Sequence, residues 1–209
     1  MEMSRDAGRD IPPFEPRSIL EVMVRNGVRF IVIGGVAGQL HGSNSYTYDV
    51  DICYARTPEN IERLSTALQE IGVTLRGADE GLPFKPDART IKAGLNFTFK
   101  TPLGDLDCLG EASGYTYEVL APNAHPAALG GLTVEIADLD DLIRMKRAAG
   151  RLKDLVEIEN LSKLRDVREE RGLYGLAEPV ASSPTGSPMA PAAQRSLRAS
   201  RSGAKARSR

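Results

Sequence analysis

The stretch that decides the fold is Phe30-Ile31-Val32-Ile33-Gly34-Gly35, followed by Thr47-Tyr48-Asp49-Val50-Asp51-Ile52-Cys53. The first segment predicts a buried strand that turns at two glycines into a short helix. The second predicts a strand with two carboxylates one residue apart. Because side chains alternate between the faces of a strand, Asp49 and Asp51 share one face. Adjacent acids on an apolar strand repel each other unless a cation lies between them. The first hypothesis is therefore a metal site, and phosphate chemistry is the natural use of such a metal.

The composition narrows the class of protein. The chain has 209 residues, enough for one domain with a proper core. No run approaches the roughly 18 apolar residues of a membrane span, and no signal-peptide region is present, so we expect a cytoplasmic protein with no membrane partner. Cys53 and Cys108 are too few for a disulfide framework or a zinc site. We expect reduced thiols, although a mutual disulfide stays open if their strands are neighbours.

Three segments differ in composition. We expect a flexible leader over 1–14, a folded domain over 15–174, and a disordered tail over 175–209 that is rich in Ala, Ser, Pro and Arg. The tail carries six basic residues and one acidic residue. Such a tail either attracts RNA or another polyanion without specificity, or serves only as a solubilising terminus.

Within the folded part, hydrophobic spacing and turn residues predict alternating helices and strands. The predicted helices are 16–26, 36–41, 57–72, 138–149 and 153–170, and the predicted strands are 28–33, 47–53, 73–75, 90–100, 106–109, 119–120 and 132–136. The segment 77–88 is expected to be a polar loop over the site. This alternation indicates an α+β or layered α/β domain.

A third carboxylate, Asp107, lies on a later predicted strand. If that strand neighbours the one with Asp49 and Asp51, the three acids converge on one patch, where hard oxygen ligands suit Mg²⁺. Asp105 competes for the third position, but Asp107 lies deeper in its strand. The alternative is that all of these are solvent-facing acids on the open side of a sheet.

Two further features suit a phosphate chain. Gly34 and Gly35 lack a Cβ and so let phosphates approach the backbone. They form neither the dinucleotide fingerprint, because Val36 replaces a required glycine, nor a P-loop. Basic residues cluster over 144–153. Within that cluster, Lys146 continues the inward stripe of its predicted helix, so it either extends to solvent or meets an anion inside.

These motifs resemble the nucleotidyltransferase superfamily typified by polymerase beta, and within it the small prokaryotic members related to abortive-infection toxins. Gly34-Gly35, Asp49-x-Asp51 and Asp107 match its acid motif, and 138–154 matches its C-terminal signature. The resemblance covers about 22–164. One departure is Ser45, where many relatives have an arginine.

The resemblance implies a mixed sheet flanked by helices and a Mg²⁺-dependent reaction. A nucleoside monophosphate would move from a nucleoside triphosphate to an acceptor hydroxyl, with release of pyrophosphate. Asp49, Asp51 and Asp107 would be the catalytic and metal-binding residues, with Asp107 also helping to activate the hydroxyl. The implied nucleotide-binding residues are Gly34, Gly35, Thr47, Lys146, Arg147, Arg151 and Lys153. The acceptor would be RNA or protein, and an antitoxin partner is implied.

Two other functions stay open at this point. One is a toxin–antitoxin component or regulator that binds a partner on the same fold with little turnover. The other is a phosphohydrolase that uses the Asp-x-Asp pair. It ranks lower because Asn44-Ser45-Tyr46-Thr47-Tyr48 precedes the acid, where such enzymes place an apolar strand.

Overall fold

The computed structural model describes residues 13–79 and 84–172. The predicted tail, 175–209, lies outside the described residues, as do 1–12 of the predicted leader. The helices are α1 (Pro16–Arg25), α2 (Gly34–Leu40), α3 (Pro58–Ile71), α4 (Ala88–Ala93), α5 (Tyr117–Leu120), α6 (Leu139–Ala149), a 3-10 turn (Leu152–Asp154) and α7 (Leu155–Glu170). The strands are β1 (Phe30–Ile33), β2 (Asp49–Tyr54), β3 (Thr74–Leu75), β4 (Asn96–Thr101), β5 (Gly104–Leu109), β6 (Glu111–Ala112), β7 (Tyr115–Thr116), β8 (His125–Leu129) and β9 (Leu132–Ile136).

Seven strands form one mixed sheet in the order β3-β4-β5-β2-β1-β9-β8, and β6 pairs with β7 in a separate ribbon. At the centre of the sheet, β1 and β2 run antiparallel, whereas β2 and β5 run parallel. Helices flank this sheet, so the predicted α+β class is confirmed. Among the described residues, no helix is both long and apolar enough to cross a membrane.

The core explains which face of the sheet is free for chemistry. All four residues of β1 are buried, as their continuous apolar character predicts. In β2 and β5 one face is buried, through Val50, Ile52, Leu106 and Cys108. Because of strand alternation, the opposite face of the same two strands carries Asp49, Asp51, Asp105 and Asp107. The hydrophobic core therefore fixes the direction in which these acids point.

Local sequence also determines the ends of α3. The Thr57 side chain accepts a hydrogen bond from the Asn60 amide, Pro58 opens the helix, and Gly72 closes it in the left-handed conformation. Its buried stripe, Ile61, Leu64, Leu68 and Ile71, joins the main core. The predicted helix is confirmed.

Several elements differ from the sequence prediction, and the strands β6 and β7 were not predicted at all. A strand is predicted at Thr90, but this residue lies in α4, because the Asp87 side chain caps a helix by accepting a hydrogen bond from the Thr90 amide at 2.8 Å. The predicted strand 119–120 lies in α5. Strand β8 was not predicted, since its HPAAL sequence has little β-branched character and pairs only by forming a hairpin with β9.

Both cysteines are buried free thiols. Their strands are neighbours, but Cys108 pairs in register with Ile52 rather than with Cys53, so the two side chains lie on opposite faces. The disulfide that the sequence left open is therefore absent. Burial raises the pKa of the Cys53 thiol to about 12, which keeps it protonated at neutral pH.

Candidate active site

Three carboxylates converge at the centre of the sheet. Asp51 pairs in register with Asp107 across the parallel β2–β5 ladder, and Asp49 lies two residues earlier on the same face. One oxygen from each of these side chains lies within 4.8 Å of the others. We call Asp49, Asp51 and Asp107 the acid triad. The sequence predicted that the three acids would converge if their two strands were neighbours, and β2 and β5 are neighbours.

The glycine turn lies directly against this triad. Ile33, the last residue of β1, pairs with Asp51, so Gly34 follows beside that carboxylate. Gly34 has a φ of +63°, and a Cβ at this position would overlap the Asp51 side chain. A Cβ at Gly35 would overlap Thr47. Gly34 is therefore needed for close packing of the backbone against Asp51, and Gly35 for close packing against Thr47.

Thr47 orients the first acid. Its hydroxyl donates a hydrogen bond to Asp49 Oδ1 at 2.7 Å. Since an ionised carboxylate only accepts hydrogen bonds, this contact restrains one oxygen and leaves the other for a ligand.

The electrostatics of the triad favour a bound cation. Burial, followed by the neighbouring charge of Asp49, raises the pKa of Asp51 to about 6. The ionised form is therefore strained at neutral pH, although Lys146, Arg151 and Arg76 partly offset the shift. A divalent cation would relieve this strain, and a set of carboxylate oxygens is the donor set that Mg²⁺ prefers. The residues present fit a magnesium ion.

The triad opens into a cavity of about 790 Å³. The predicted nucleotide-binding residues that line it are Gly34, Gly35, Thr47, Lys146 and Arg151. Arg147 is exposed on α6 and is not among the lining residues. The side chain of Lys153 lies outside the described residues. Tyr46 and Tyr48, which the sequence did not single out, also line the cavity and are largely exposed.

No protein-family model matches the sequence, and a comparison with curated proteins finds no match. Solved structures do resemble it. The lincomycin-bound lincosamide antibiotic adenylyltransferase LnuA matches with a TM-score of 0.50 and 15% identity, over 71% of this chain and 94% of LnuA. The chain has the nucleotidyltransferase fold. Two further structures match with lower TM-scores. ANT(2'')-Ia in complex with adenylyl-2''-tobramycin has a TM-score of 0.46 and 14% identity, over 75% of this chain and 95% of that one. A Thermotoga maritima protein provisionally described as a nucleotidyltransferase has a TM-score of 0.45 and 15% identity, over 74% of this chain and 91% of that one.

In this nucleotidyltransferase fold, the basic residues beside the cavity are paired with the chain's own acids. Lys146 is 8% exposed, and its Nζ lies 2.6 Å from Glu157 Oε2 and 3.7 Å from Asp154 Oδ1. Arg151 Nε donates to Asp154 Oδ2 at 2.7 Å. Lys146 therefore meets an anion inside, which was one of the two predicted outcomes, and that anion is Glu157. Among the described side chains, Glu157 Oε1 is buried without a hydrogen-bond partner.

Arg76 is another site residue that sequence reasoning missed. Its Nη1 lies 3.1 Å from Asp105 Oδ2, and its Nη2 contacts Asp107 Oδ1. It follows β3 and precedes the glycine of a loop, so its sequence context is that of an ordinary surface arginine. Only the order of β3, β4 and β5 in the sheet brings its side chain to Asp105 and Asp107.

Proposed function

We propose that this protein is a Mg²⁺-dependent nucleotidyltransferase, which moves a nucleoside monophosphate from a nucleoside triphosphate to an acceptor hydroxyl and releases pyrophosphate. The observation that carries the proposal is the acid triad, with ligand oxygens within 4.8 Å of one another beside a glycine turn in an open cavity. The nucleotidyltransferase fold supports the same reaction class.

The charges of the cavity support a role for a metal. Among the described residues, seven with carboxylate side chains line it, against three with cationic side chains, Arg76, Lys146 and Arg151. Each of these cations is already paired with a carboxylate of the chain. A triphosphate entering alone would therefore meet uncompensated negative charge. We infer that the donor binds together with divalent cations held by Asp49, Asp51 and Asp107.

The proposed step forms one bond and breaks another. The acceptor hydroxyl oxygen forms a bond to the α-phosphorus, while the bond from that phosphorus to the oxygen bridging to the β-phosphate breaks. Pyrophosphate leaves with the electron pair of that bond. Asp107 takes the proton of the hydroxyl as general base. When bound, Mg²⁺ supplies positive charge that stabilises the attacking and leaving oxygens.

Other residues of the chain position the reactants. Thr47 restrains Asp49, and Gly34 and Gly35, which line the cavity, contact the phosphates of the donor. Lys146 lies at the cavity wall, where a donor phosphate competes with Glu157 for its ammonium group. Arg147, Arg151 and Lys153 remain proposals for further phosphate contacts.

For the donor, ATP is the first nucleotide to test, because LnuA is described as an adenylyltransferase. For the acceptor, we propose a hydroxyl of RNA or protein, and the lincomycin-bound state of LnuA adds a small-molecule hydroxyl as a third class. Membership of the abortive-infection group, a cytoplasmic location and an antitoxin partner also remain proposals. A regulator on the same fold would instead bind a partner tightly without transfer.

The test is label transfer with purified full-length chain. Each α-³²P-labelled nucleoside triphosphate is incubated with Mg²⁺ and with RNA, protein or small-molecule extract, and the products are separated by class. Asp49→Asn and Asp51→Asn are expected to abolish transfer. Asp166→Asn removes an exposed carboxylate outside the cavity and is the matched control. Transfer that persists in both acid variants, or is absent from every fraction with wild-type protein, contradicts the proposal.

A further inference from the structure

A row of paired residues links Arg76 to the acid triad. Leu75 pairs with Phe99, and the next amide, that of Arg76, donates to the Thr98 carbonyl at 2.9 Å. Thr98 pairs with Asp107, which in turn pairs with Asp51. The backbone of Arg76 is therefore held at a fixed place in the sheet, two strands away from Asp107.

The guanidinium joins two carboxylates of one strand. Asp105 and Asp107 lie two residues apart on the same face of β5, where like charges repel. Arg76 donates one Nη to each of them. The planar fork of arginine suits this bridging geometry, whereas lysine is a single point charge. The Arg76 side chain is 28% exposed and that of Asp107 is 17% exposed, so the contact is partly shielded from water.

We propose that Arg76 is a positioning residue that fixes Asp107 as the third metal ligand and keeps Asp105 out of the metal site. Arg76 holds Oδ1 of Asp107, which leaves Oδ2 for the metal. Arg76 also holds the Asp105 carboxylate. Asp105 pairs in register with Asp49, so without Arg76 it would compete for the metal ion. The inference rests on the proposed function, because it requires a metal at the triad.

The alternative is that Arg76 blocks metal binding. A guanidinium beside a divalent cation repels it, so an arginine that only fills the metal-free site weakens metal binding. The two roles predict opposite effects of removing the side chain. Loss of a positioning contact to a ligand weakens metal binding by about 10- to 100-fold. Loss of a blocking charge strengthens it.

The first experiment measures Mn²⁺ binding to the full chain without nucleotide, by the electron paramagnetic resonance signal of free Mn²⁺. Arg76→Met is expected to raise the Kd about 10-fold or more. Arg76→Lys keeps the charge but loses the fork, and we expect a loss of similar size. Arg25→Met is the matched control, because Arg25 forms an ion pair with Glu70 outside the cavity and its loss leaves the Kd unchanged.

An unchanged or lower Kd for Arg76→Met overturns the positioning role, as does a wild-type Kd for Arg76→Lys. If Arg76→Met fails to fold by circular dichroism, Arg76→Lys decides the question. Wild-type protein that binds no Mn²⁺ also overturns the inference. Wild-type protein that binds Mn²⁺ at the triad but transfers no nucleotide contradicts the proposed function and leaves the positioning role standing.

The second experiment is a double-mutant cycle with Asp105→Asn. If Arg76 keeps Asp105 out of the metal site, Asp105→Asn changes the Kd for Mn²⁺ by no more than about threefold in the wild-type background, and by more than that in the Arg76→Met background, where Asp105 is free to reach the ion. If Asp105 is already a ligand in the wild type, Asp105→Asn raises the Kd in the wild-type background by at least as much as in the Arg76→Met background. That second result overturns the exclusion of Asp105 from the metal site.

Discussion

Replacing Asp51 with Asn is expected to stabilise the metal-free protein while abolishing transfer. Burial and the Asp49 charge raise the pKa of Asp51 to about 6 in the folded state, against 3.8 for the free side chain. The folded protein therefore binds the proton more tightly than the unfolded chain does. The contribution of Asp51 to stability is highest below pH 3.8 and falls as the pH rises through about 6. Asparagine has nearly the same shape and carries no charge to bury.

The size of the gain follows from the shift. About two pKa units at 1.36 kcal/mol each correspond to a free energy of about 2 to 3 kcal/mol above pH 7. Near pH 4 the wild-type carboxyl is largely protonated when folded, so the gain from Asn shrinks toward zero. With Mg²⁺ at about 100 times its Kd, the wild type alone gains about 2.7 kcal/mol by linkage. Metal therefore reverses or erases the order of stability.

The assay is urea denaturation in EDTA at pH 4.5, 6 and 7.5, repeated with Mg²⁺ at pH 7.5. Asp166→Asn, which removes an exposed carboxylate on α7, is the control and is expected to follow the wild type. A gain for Asp51→Asn that does not grow with pH, or no gain at pH 7.5, refutes the reasoning, because the strain assigned to the ionised carboxylate would then be absent.

Three further predictions concern Gly34, His41 and Lys146. Gly34→Ala and Gly72→Ala both place a side chain at positive φ, which costs about 1–2 kcal/mol, but only at Gly34 would the new Cβ overlap Asp51. Gly34→Ala is therefore expected to lower the free energy of unfolding by more than Gly72→Ala does and to abolish metal binding, as urea denaturation and Mn²⁺ titration would show. Burial lowers the pKa of His41 to about 4, so the unfolded chain binds more protons and the contribution of His41 to stability falls by about 3 kcal/mol between pH 6.5 and 4. His41→Gln is expected to remove this contribution, most clearly in an Asp51→Asn background, where the opposing shift is absent; an unchanged dependence on pH counts against the assignment. Lys146→Met is expected to cost about 3–5 kcal/mol in denaturation because it leaves Glu157 charged and unpaired, and adding Glu157→Gln restores part of that loss; equal stability of the single and double variants contradicts the pairing.

Much of the candidate metal site could be predicted from local sequence. The alternation of apolar and acidic residues in 49–52 fixes which face Asp49 and Asp51 occupy, whatever the rest of the fold. The glycine pair marks a turn for the same local reason. Placing Asp107 required a further assumption, that β5 lies beside β2, which periodicity cannot supply because strand order is a property of the whole sheet.

The residues that were missed depend on contacts between distant parts of the chain. Arg76 reaches the acids across β4, and Glu157 meets Lys146 only because α7 packs against α6. The residues next to Arg76 and Glu157 in the sequence do not distinguish either one from an ordinary charged residue on the surface. The strand expected at Thr90 is a different error, because a single capping contact from Asp87 outweighed the β-propensity of a short segment.

Two features of the site each lower the stability of the ligand-free protein, and both residues line the same cavity. Asp51 is ionised despite burial, and Glu157 Oε1 has no partner among the described residues. A polar atom buried without a partner costs about 1–3 kcal/mol. The strands that carry the acids bury their other faces completely, so the core tolerates these costs without moving the carboxylates. Cations and a phosphate chain would relieve the strain at Asp51 and give Lys146 a second anion. Substitutions that remove the strain therefore stabilise the empty protein and weaken its binding of metal and donor, which separates this site from a merely solvent-facing row of acids.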